Sequence, residues 1–195
     1  MGVLERLSPD IPSTKDKFQV RTFCNFLFSS WPVLFAGLMF RENLLATAVP
    51  CFSPLRILAF VWGAAILHDF WFFTFHTLMH KVKVLYRNIH FIHHKSYGDL
   101  NVFQTADMHL SEAFVLIFGF YGLLLGSYLL QGQWDPVSYV VFVLVEASMN
   151  MEGHTGYRLP WWLYMLVTAG IGSIPGAASS TTHYIHHLDP RIQYM

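Results

Sequence analysis

Charged residues are scarce in this chain of 195 residues: Asp, Glu, Lys and Arg together make up 12% of it. Soluble domains carry about 25% charged residues, so the composition argues against an ordinary soluble protein. The formal net charge is zero and the sequence pI is about 7.2, which gives no indication of nucleic acid or another polyanion as a partner. The two cysteines, Cys24 and Cys51, form neither a disulfide framework nor a CxxC motif.

Apolar residues make up 54% of the chain and are grouped into long runs. A run of about 20 apolar residues is long enough to cross a bilayer as a helix. We therefore expect an all-α integral membrane bundle with four spanning helices, at Phe23–Phe40, Leu55–His80, Ala113–Leu130 and Val137 to about Met151. Residues 1–22 lack the pattern of a secretory signal, and we expect a cytosolic lead-in there, followed by one membrane-embedded domain at residues 23–195.

Two further segments are expected to lie along the membrane surface. Lys81 to Lys95 mixes basic and apolar residues, which is typical of an interfacial helix. Leu159 to Ile174 begins close to two tryptophans and is interrupted by glycines, which favours an interfacial or re-entrant segment. Gly122 and Gly126 form a GxxxG pair that permits close packing, either within this chain or with a second copy.

Histidine is the residue that repeats. Eight of the eleven histidines fall in three windows of five residues: His76 and His80, then His90, His93 and His94, then His183, His186 and His187. Residues three or four apart share one face of a helix, so each window can direct its imidazoles at one point. Eight ring nitrogens exceed what a single four- to six-coordinate ion can use, so the count predicts two metal ions.

A structural role for these histidines is the simpler alternative. A lone histidine is usually a satisfied surface or core residue, and one HxxxH pair can occur on a helix without any chemical purpose. Three windows together are different, because burying eight titratable imidazoles near a membrane without a shared partner would be costly. We therefore interpret the windows as a metal centre.

Other polar residues in the apolar runs are further candidates. Asn150 and His154 repeat the spacing of four, which makes His154 a candidate ninth ligand. Asp69 lies seven residues before His76, roughly 10 Å along a helix, which is too far for the same ion. We expect Asp69 to orient a histidine of another helix; alternatively, His68 and Asp69 form a mutual or interhelical hydrogen bond that only fixes helix packing.

Three polar positions near the windows have structural explanations available. Glu146 supports the metal centre or forms a hydrogen bond within the bundle, and the sequence leaves both open. His109 stands alone, so a supporting or structural role is preferred over a role as ligand. Ser179 to Thr182 can cap a helix that carries the third window.

The placement of basic residues indicates whether the windows can meet. With a cytosolic start and four spans, all basic residues except Arg41 and Arg56 lie on the cytosolic side, in agreement with the positive-inside rule. The same topology places all three histidine windows on that side. Both observations predict one site at the cytosolic membrane surface.

Four motifs together resemble a known family. HDFWFFTFHTLMH, NIHFIHH, NMEGHTGY and TTHYIHH are similar to the successive histidine motifs of the fatty acid hydroxylase and sterol desaturase superfamily, over about Leu67 to Pro190. The resemblance implies an integral membrane non-haem di-iron enzyme of the endoplasmic reticulum or of the bacterial inner membrane. By motif, the iron ligands would be His76, His80, His90, His93, His94, His154, His183, His186 and His187.

The resemblance also implies an activity and its partners. Such enzymes use O2, and electrons from a carrier such as cytochrome b5 and its reductase, to hydroxylate or desaturate a membrane lipid such as a sterol or a fatty acyl chain in lipid biosynthesis. Family members usually continue past the last window through an aromatic stretch with a tryptophan–aspartate pair. Only eight residues follow His187 here, which predicts a C-terminally shortened form with impaired activity.

The chemistry of the residues supports a redox enzyme and leaves two other classes to be tested. Oxidation of an unactivated C–H bond requires a redox cofactor, which iron can provide and zinc cannot. A zinc-dependent membrane hydrolase would be expected to place a carboxylate as in HExxH, and this motif is not present. A non-catalytic metal or haem carrier would leave the HxxHH windows unexplained. The sequence does not distinguish among lipid substrates or between hydroxylation and desaturation.

Overall fold

The computed structural model describes residues 5–6, 46–96, 100–174 and 179–189, and these are mostly helical. Within these ranges the α-helices are α1 (Pro54–Lys81), α2 (Lys83–Asn88), α3 (Leu110–Gln131), α4 (Pro136–Gly153), α5 (Trp161–Val167) and α6 (Ser180–Leu188). Three short 3-10 helices are η1 (His90–Ser96), η2 (Val102–Ala106) and η3 (Ile171–Ser173). The sequence predicted an all-α bundle, but the structure also contains two short strands, β1 (Glu5–Arg6) and β2 (Tyr157–Arg158), which pair antiparallel.

Helix α1 is the longest element, with 28 residues. Ser53 is extended, and Pro54 follows at the first helical position, where its fixed φ suits a helix and its missing N–H leaves no bond unmade. His80 and Lys81 occupy the last turn, where the cationic side chain of Lys81 is favourable to the helix dipole. The helix therefore carries the whole first histidine window on its final turns.

Helices α3 and α4 have defined ends. His109 caps α3 by accepting a hydrogen bond from the backbone N–H of Ser111, which gives this histidine the structural role considered for it. Gly132 ends α3 at a φ of 66°, a left-handed conformation that favours glycine. Asp135 then caps α4 and also accepts from the backbone N–H of Cys51, which ties the start of α4 to the segment before α1.

The buried core lies between α1 and α4. Its buried apolar members are Val61, Ala64, Ala65, Phe142 and Ile171. The two small alanines let α4 approach closely, so that Phe142 has no exposed surface at all. Within a membrane such a contact is stabilised by van der Waals packing, because lipid tails are as apolar as the buried side chain. This contact fixes the relative position of the two helices that approach the histidine windows.

Two helices of the described ranges are long and apolar enough to cross a membrane, α1 and α3. Many of their large apolar side chains are exposed, as expected for contact with lipid; examples are Leu58, Ile66, Phe70, Phe118, Leu125 and Leu129. The protein is therefore a membrane protein with two of the four predicted spans supported. The predicted span at Val137 to Met151 forms α4, whose second half carries Glu146, Asn150 and Glu152 and is less apolar. The predicted span at Phe23–Phe40 lies outside the described residues.

The segments predicted at the membrane surface are short and broken. Lys81 to Lys95 covers the end of α1, then α2 and most of η1, with breaks at Val82 and Ile89. Leu159 to Ile174 forms α5 and η3, separated at Gly170, whose φ is 81°. A Cβ atom added at Gly122 or Gly126 would meet nothing within 4 Å. The GxxxG pair is thus not packed against the described part of this chain.

Candidate metal centre

Nine histidines converge in two groups where α1 and α4 end. The five-histidine cluster consists of His76, His80, His90, His94 and His186, and the four-histidine cluster of His93, His154, His183 and His187. Within each cluster one ring nitrogen from every member lies within 4.8 Å of the others. The structure thus brings together all nine histidines that the sequence indicates.

The clusters do not follow the three windows. Only the first window stays whole, because His76 and His80 both belong to the five-histidine cluster. The middle window is divided, because His93 belongs to the four-histidine cluster while His90 and His94 belong to the five-histidine cluster. The last window is divided in the same way, with His186 in the five-histidine cluster and His183 and His187 in the four-histidine cluster. The expectation that each window points at one site was therefore wrong for two of the three. The elements η1 and α6, which carry these two windows, therefore each contribute histidines to both clusters.

Ring nitrogens in the five-histidine cluster lie at nearly uniform separations. The Nε2 atom of His80 lies 2.9 Å from that of His90 and 3.1 Å from that of His186. His94 Nε2 lies 2.9 Å from His90 Nε2. Two nitrogens that bind one ion at right angles, at about 2.1 Å each, are about 3.0 Å apart. The spacing fits a shared metal ion.

The four-histidine cluster has the same spacing. His154 Nε2 lies 3.2 Å from His93 Nε2 and 3.0 Å from His183 Nε2. His183 Nε2 lies 3.1 Å from His187 Nε2. All four residues are buried, and a buried imidazole needs a partner for each ring nitrogen. A metal ion can serve as a common partner for four nitrogens at once, so this cluster also fits a metal.

Glu112 holds one histidine of the five-histidine cluster in place. Its carboxylate accepts a hydrogen bond from the Nδ1–H of His90 at 2.7 Å, and both side chains are buried. This bond fixes the His90 tautomer with its Nε2 lone pair facing His80 and His94. Metal-binding histidines usually have such a partner on the outer nitrogen, because it orients the ring and makes the ligand more basic.

A backbone carbonyl performs the same task for the four-histidine cluster. Helix α4 ends at Gly153, and His154 follows as its C-cap. The Nδ1–H of His154 donates to the backbone oxygen of Asn150 at 2.8 Å. The spacing of four therefore matters as predicted, although the Asn150 side chain takes no part. Gly156 then turns the chain at a φ of 68°, where a Cβ would lie 2.7 Å from the Leu100 carbonyl oxygen.

Helix α6 carries the last window and is capped at its first turn. Ser179 and Thr182 form a capping box, which confirms the predicted cap. Glu152 of α4 adds to it, since its carboxylate accepts from the backbone N–H of Ser180 at 3.1 Å. Negative charge at a helix N-terminus is stabilising. Sequence reasoning missed the roles of Glu112 and Glu152, and the available signal was an isolated acidic residue beside an apolar run.

Burial keeps these histidines neutral. Removal from water lowers the pKa of His154 to about 4, although its hydrogen bond to Asn150 acts in the opposite direction. Burial, followed by the effect of neighbouring histidines, also lowers the pKa of His93 and His183 well below the ordinary value. Neutral imidazole is the form that binds metal, so the site does not have to lose protons at pH 7 before it can bind an ion.

The polar residues in the middle of the bundle lie apart from both clusters. His68 Nδ1 lies 3.2 Å from a carboxylate oxygen of Glu146, which joins α1 to α4. This contact lies between two helices, where the sequence left a packing interaction open for both residues. Asp69 makes no hydrogen bond to a described residue, so the predicted orientation of a histidine by Asp69 is not seen in the described ranges.

A cavity of about 530 Å³ adjoins both clusters. Its volume is within the usual range of ligand pockets. The histidines in its wall are His76, His90, His93, His154 and His183, and its apolar wall includes Phe72, Leu116, Met149, Ile171 and Ile174. The arrangement brings two candidate metal sites against one largely apolar space.

Comparison with known proteins identifies relatives. A family model described as fatty acid hydroxylase matches residues 61–194, which include all nine histidines. A cholesterol 25-hydroxylase-like protein from Danio rerio is 32% identical over 139 residues, 67% of this chain and 49% of the relative. The cholesterol 25-hydroxylase of Rattus norvegicus is 32% identical over 132 residues, 68% of this chain and 41% of that protein.

A more distant relative has another sterol-related name. The C-4 methylsterol oxidase of Candida albicans is 23% identical over 158 residues, 79% of this chain and 50% of the relative. The chain spans about half the length of these curated relatives. No solved structure matches the chain.

Proposed function

The chain belongs to the fatty acid hydroxylase family, and from that premise we propose that it is a membrane oxidoreductase that hydroxylates or desaturates a lipid with O2. The observation that carries the proposal is the pair of histidine clusters facing one apolar cavity. A sterol is the favoured substrate class because the relatives are named as sterol hydroxylases and a methylsterol oxidase. A fatty acyl chain is the alternative within the same chemistry.

The proposed cofactor is two iron ions, one held by each cluster. The donor set fits iron, since imidazole suits this metal and the nitrogen spacing suits a shared ion. When bound, iron supplies the redox chemistry with O2 that no protein side chain can provide. All nine histidines are assigned as ligands under this proposal.

The protein residues prepare the site for that chemistry. Glu112 and the Asn150 carbonyl each fix the tautomer of one imidazole, so that its Nε2 faces the cluster. The cavity wall is mostly apolar, which excludes water and accommodates hydrocarbon. Phe72 and Leu116 line the same cavity as His76 and His90 and can press a hydrocarbon chain towards the histidines.

The proposed setting follows from the charge pattern. We place the histidines on the cytosolic side of the endoplasmic reticulum membrane, or of the bacterial inner membrane, in a bundle of four spans that includes Phe23–Phe40 and α4. Lys81, Lys83 and Arg87 lie where α1 ends, as the positive-inside rule requires for a cytosolic end. Electrons would come from a carrier such as cytochrome b5 with its reductase.

Metal analysis with a turnover assay tests the proposal. The protein is purified in detergent, its metals are counted by mass spectrometry, and lipid oxidation is followed with a sterol and electron source present. We expect two irons per chain and a product that forms only with O2. Zinc in place of iron would support a hydrolase, and metal without any turnover would support a non-catalytic metal-binding protein; either result would contradict the proposal.

A pair of variants provides the matched control. His93→Ala should abolish product formation and lower the iron content, because it removes one of four ligands in its cluster. His109→Ala removes a histidine that caps α3 and belongs to neither cluster, so iron content should stay at the wild-type level. Retained turnover in the His93 variant would overturn the assignment.

A further inference from the structure

The cavity has a polar end as well as a histidine end. His68 and Asp69 of α1 and Glu146 of α4 line the same cavity as the histidines. We name these three residues the polar subsite. Ionisable residues are costly within a membrane-spanning helix and usually mark a functional position. No role in the metal centre accounts for the polar subsite.

Two helices place the polar subsite at similar distances from the histidines. Asp69 precedes His76 by seven residues on α1, which is about 10 Å of helix rise. Glu146 precedes His154 by eight residues along α4, or about 12 Å. Because both helices end at the metal centre, the cavity joins two regions separated by about 10–12 Å. This length suits an elongated molecule with one polar end.

Within the polar subsite, Asp69 differs from the other two residues. His68 and Glu146 are both buried, and His68 Nδ1 lies 3.2 Å from a Glu146 carboxylate oxygen, whereas the buried Nε2 atom of His68 makes no hydrogen bond to a described residue. Asp69 borders the cavity, is solvent-accessible, and makes no hydrogen bond to a described residue. A carboxylate in an apolar environment is strongly favoured to accept a hydrogen bond from a bound group.

We infer that Asp69 accepts a hydrogen bond from the hydroxyl group of an elongated lipid alcohol, such as a sterol, whose hydrocarbon body extends along the cavity to the histidine clusters. The inference rests on the proposed function, because the far end of that lipid is the part presented for oxidation. The His68–Glu146 pair holds the wall around Asp69 in place. A lipid without a hydroxyl group at this depth would leave the Asp69 carboxylate unpaired, which gives the site its selectivity.

The experiment compares two lipids that differ only in the hydroxyl group. Wild-type protein in phospholipid nanodiscs is titrated without O2 or reductant with cholesterol and, separately, with the analogue in which hydrogen replaces the hydroxyl. Hydrogen bonds to charged groups are strong enough to predict about tenfold tighter binding of cholesterol. Asp69→Leu should reduce this preference to less than about twofold, and should leave binding of the analogue unchanged or improved.

Control variants keep the inference falsifiable. Phe70→Leu changes the next residue, which is 71% exposed and does not line the cavity, so it should keep the wild-type preference. Asp69→Asn keeps the shape and one acceptor oxygen, and should give an intermediate preference. Equal binding of the two lipids by the wild type, or no binding of either, would overturn the inference.

Metal content separates this inference from the proposed function. Binding without O2 requires no turnover, so selectivity can be present even if the protein proves to lack oxidase activity. Conversely, a protein with two irons and lipid oxidation that fails to prefer cholesterol would retain the proposed function and lose the polar subsite. The Asp69→Leu variant should also keep the wild-type metal content; a loss of metal would show that Asp69 acts through the histidine clusters.

Discussion

The two histidine clusters are built from the same side chain but are supported differently. The five-histidine cluster has a carboxylate, Glu112, behind His90, whereas the four-histidine cluster has a neutral backbone carbonyl behind His154. His80 of the first cluster is only partly buried, while every member of the second is buried. A six-coordinate ion would keep one position beside five histidines and two beside four. Under the proposed iron assignment, the four-histidine cluster would therefore leave one more position for a reactant than the five-histidine cluster.

The two clusters also differ in the charge of the group that accepts a hydrogen bond from a histidine. A carboxylate next to a ligand adds negative charge near the ion and strengthens the ligand as a base, whereas a carbonyl only orients the ring. Two sites of identical ligand type can therefore differ in affinity because of the residues behind the ligands. Removing ligands from one cluster at a time is the most direct way to break the comparison.

The largest effect is expected from a double substitution in α6. His183→Ala with His187→Ala leaves only His93 and His154 in the four-histidine cluster, too few to retain an ion. We expect one iron per chain in place of two and a loss of activity of at least about a thousandfold. Metal counting and a lipid-oxidation assay measure the two effects.

The neighbouring residue of α6 provides the control for the double variant. His186→Ala leaves four of the five ligands in the other cluster, so that cluster should still bind iron, though more weakly. Loss of both irons in the double variant, together with loss of neither in the His186 variant, would contradict the assignment of one ion to each cluster.

Acid should destabilise the metal-free protein through its buried histidines. The folded-state pKa of His154 is lowered to about 4, below the ordinary value of 6.5, so the unfolded chain binds a proton that the folded chain does not. Stability from this group is complete above about pH 6.5, falls as the pH is lowered towards 4, and levels off below that. The loss amounts to about 3 kcal/mol.

Thermal unfolding of the metal-free protein between pH 7 and pH 4 measures this dependence. His154→Gln removes the titrating group and should flatten the pH profile relative to the wild type. An unchanged profile in this variant would show that His154 is already protonated in the fold, which would contradict its burial beside His93 and His183.

The charge behind His90 can be removed without loss of shape. Glu112→Gln keeps an oxygen that accepts from the His90 Nδ1–H but removes the negative charge. We expect metal affinity to fall by about 10- to 100-fold in the five-histidine cluster and by a smaller factor in the four-histidine cluster. Competition with a chelator, followed by metal counting, resolves one weakened site; equal weakening of both sites would count against a local effect.

The smallest effect is expected from the cap of α6. Ser179→Ala removes the side chain that accepts from the Thr182 N–H and should destabilise the protein by about 1 kcal/mol. Since α6 contributes to both clusters, both metal affinities should fall by the same modest factor. A Ser173→Ala substitution serves as the control for a general effect of serine loss, because the Ser173 side chain is exposed, lies outside the cap and donates only to the local Gly170 backbone oxygen.

Local sequence patterns predicted that the nine histidines lie close together but not how they are grouped. The spacing of His76 and His80 on a continuous apolar run predicted a helix that presents both, and α1 does so. The division of the other windows depends on where η1 and α6 lie relative to both clusters, which is a long-range property. Helical spacing predicts which histidines share a face of a helix. It does not predict which histidines of other elements pack against that face.

The residues that support the ligands were harder to predict. Glu112 is 22 positions from His90 in sequence, and only the packing of α3 beside η1 brings them together. The cap of α6 by Ser179 was predicted because it is local, whereas the added contact from Glu152 crosses from another helix. The span expected at Val137 to Met151 lies within α4. The second half of this helix is less apolar because Glu146, Asn150 and Glu152 line the cavity there.

The position of α6 between the clusters has a consequence for assembly. This helix has nine residues, and isolated helices of that length are unstable in water. An ion captured on either side would fix the helix and thereby arrange the histidines that receive the second ion. Metal uptake should then be cooperative, with a sigmoidal titration and few half-loaded molecules. A protein that fills both sites together rarely leaves a single reactive ion beside oxidisable lipid.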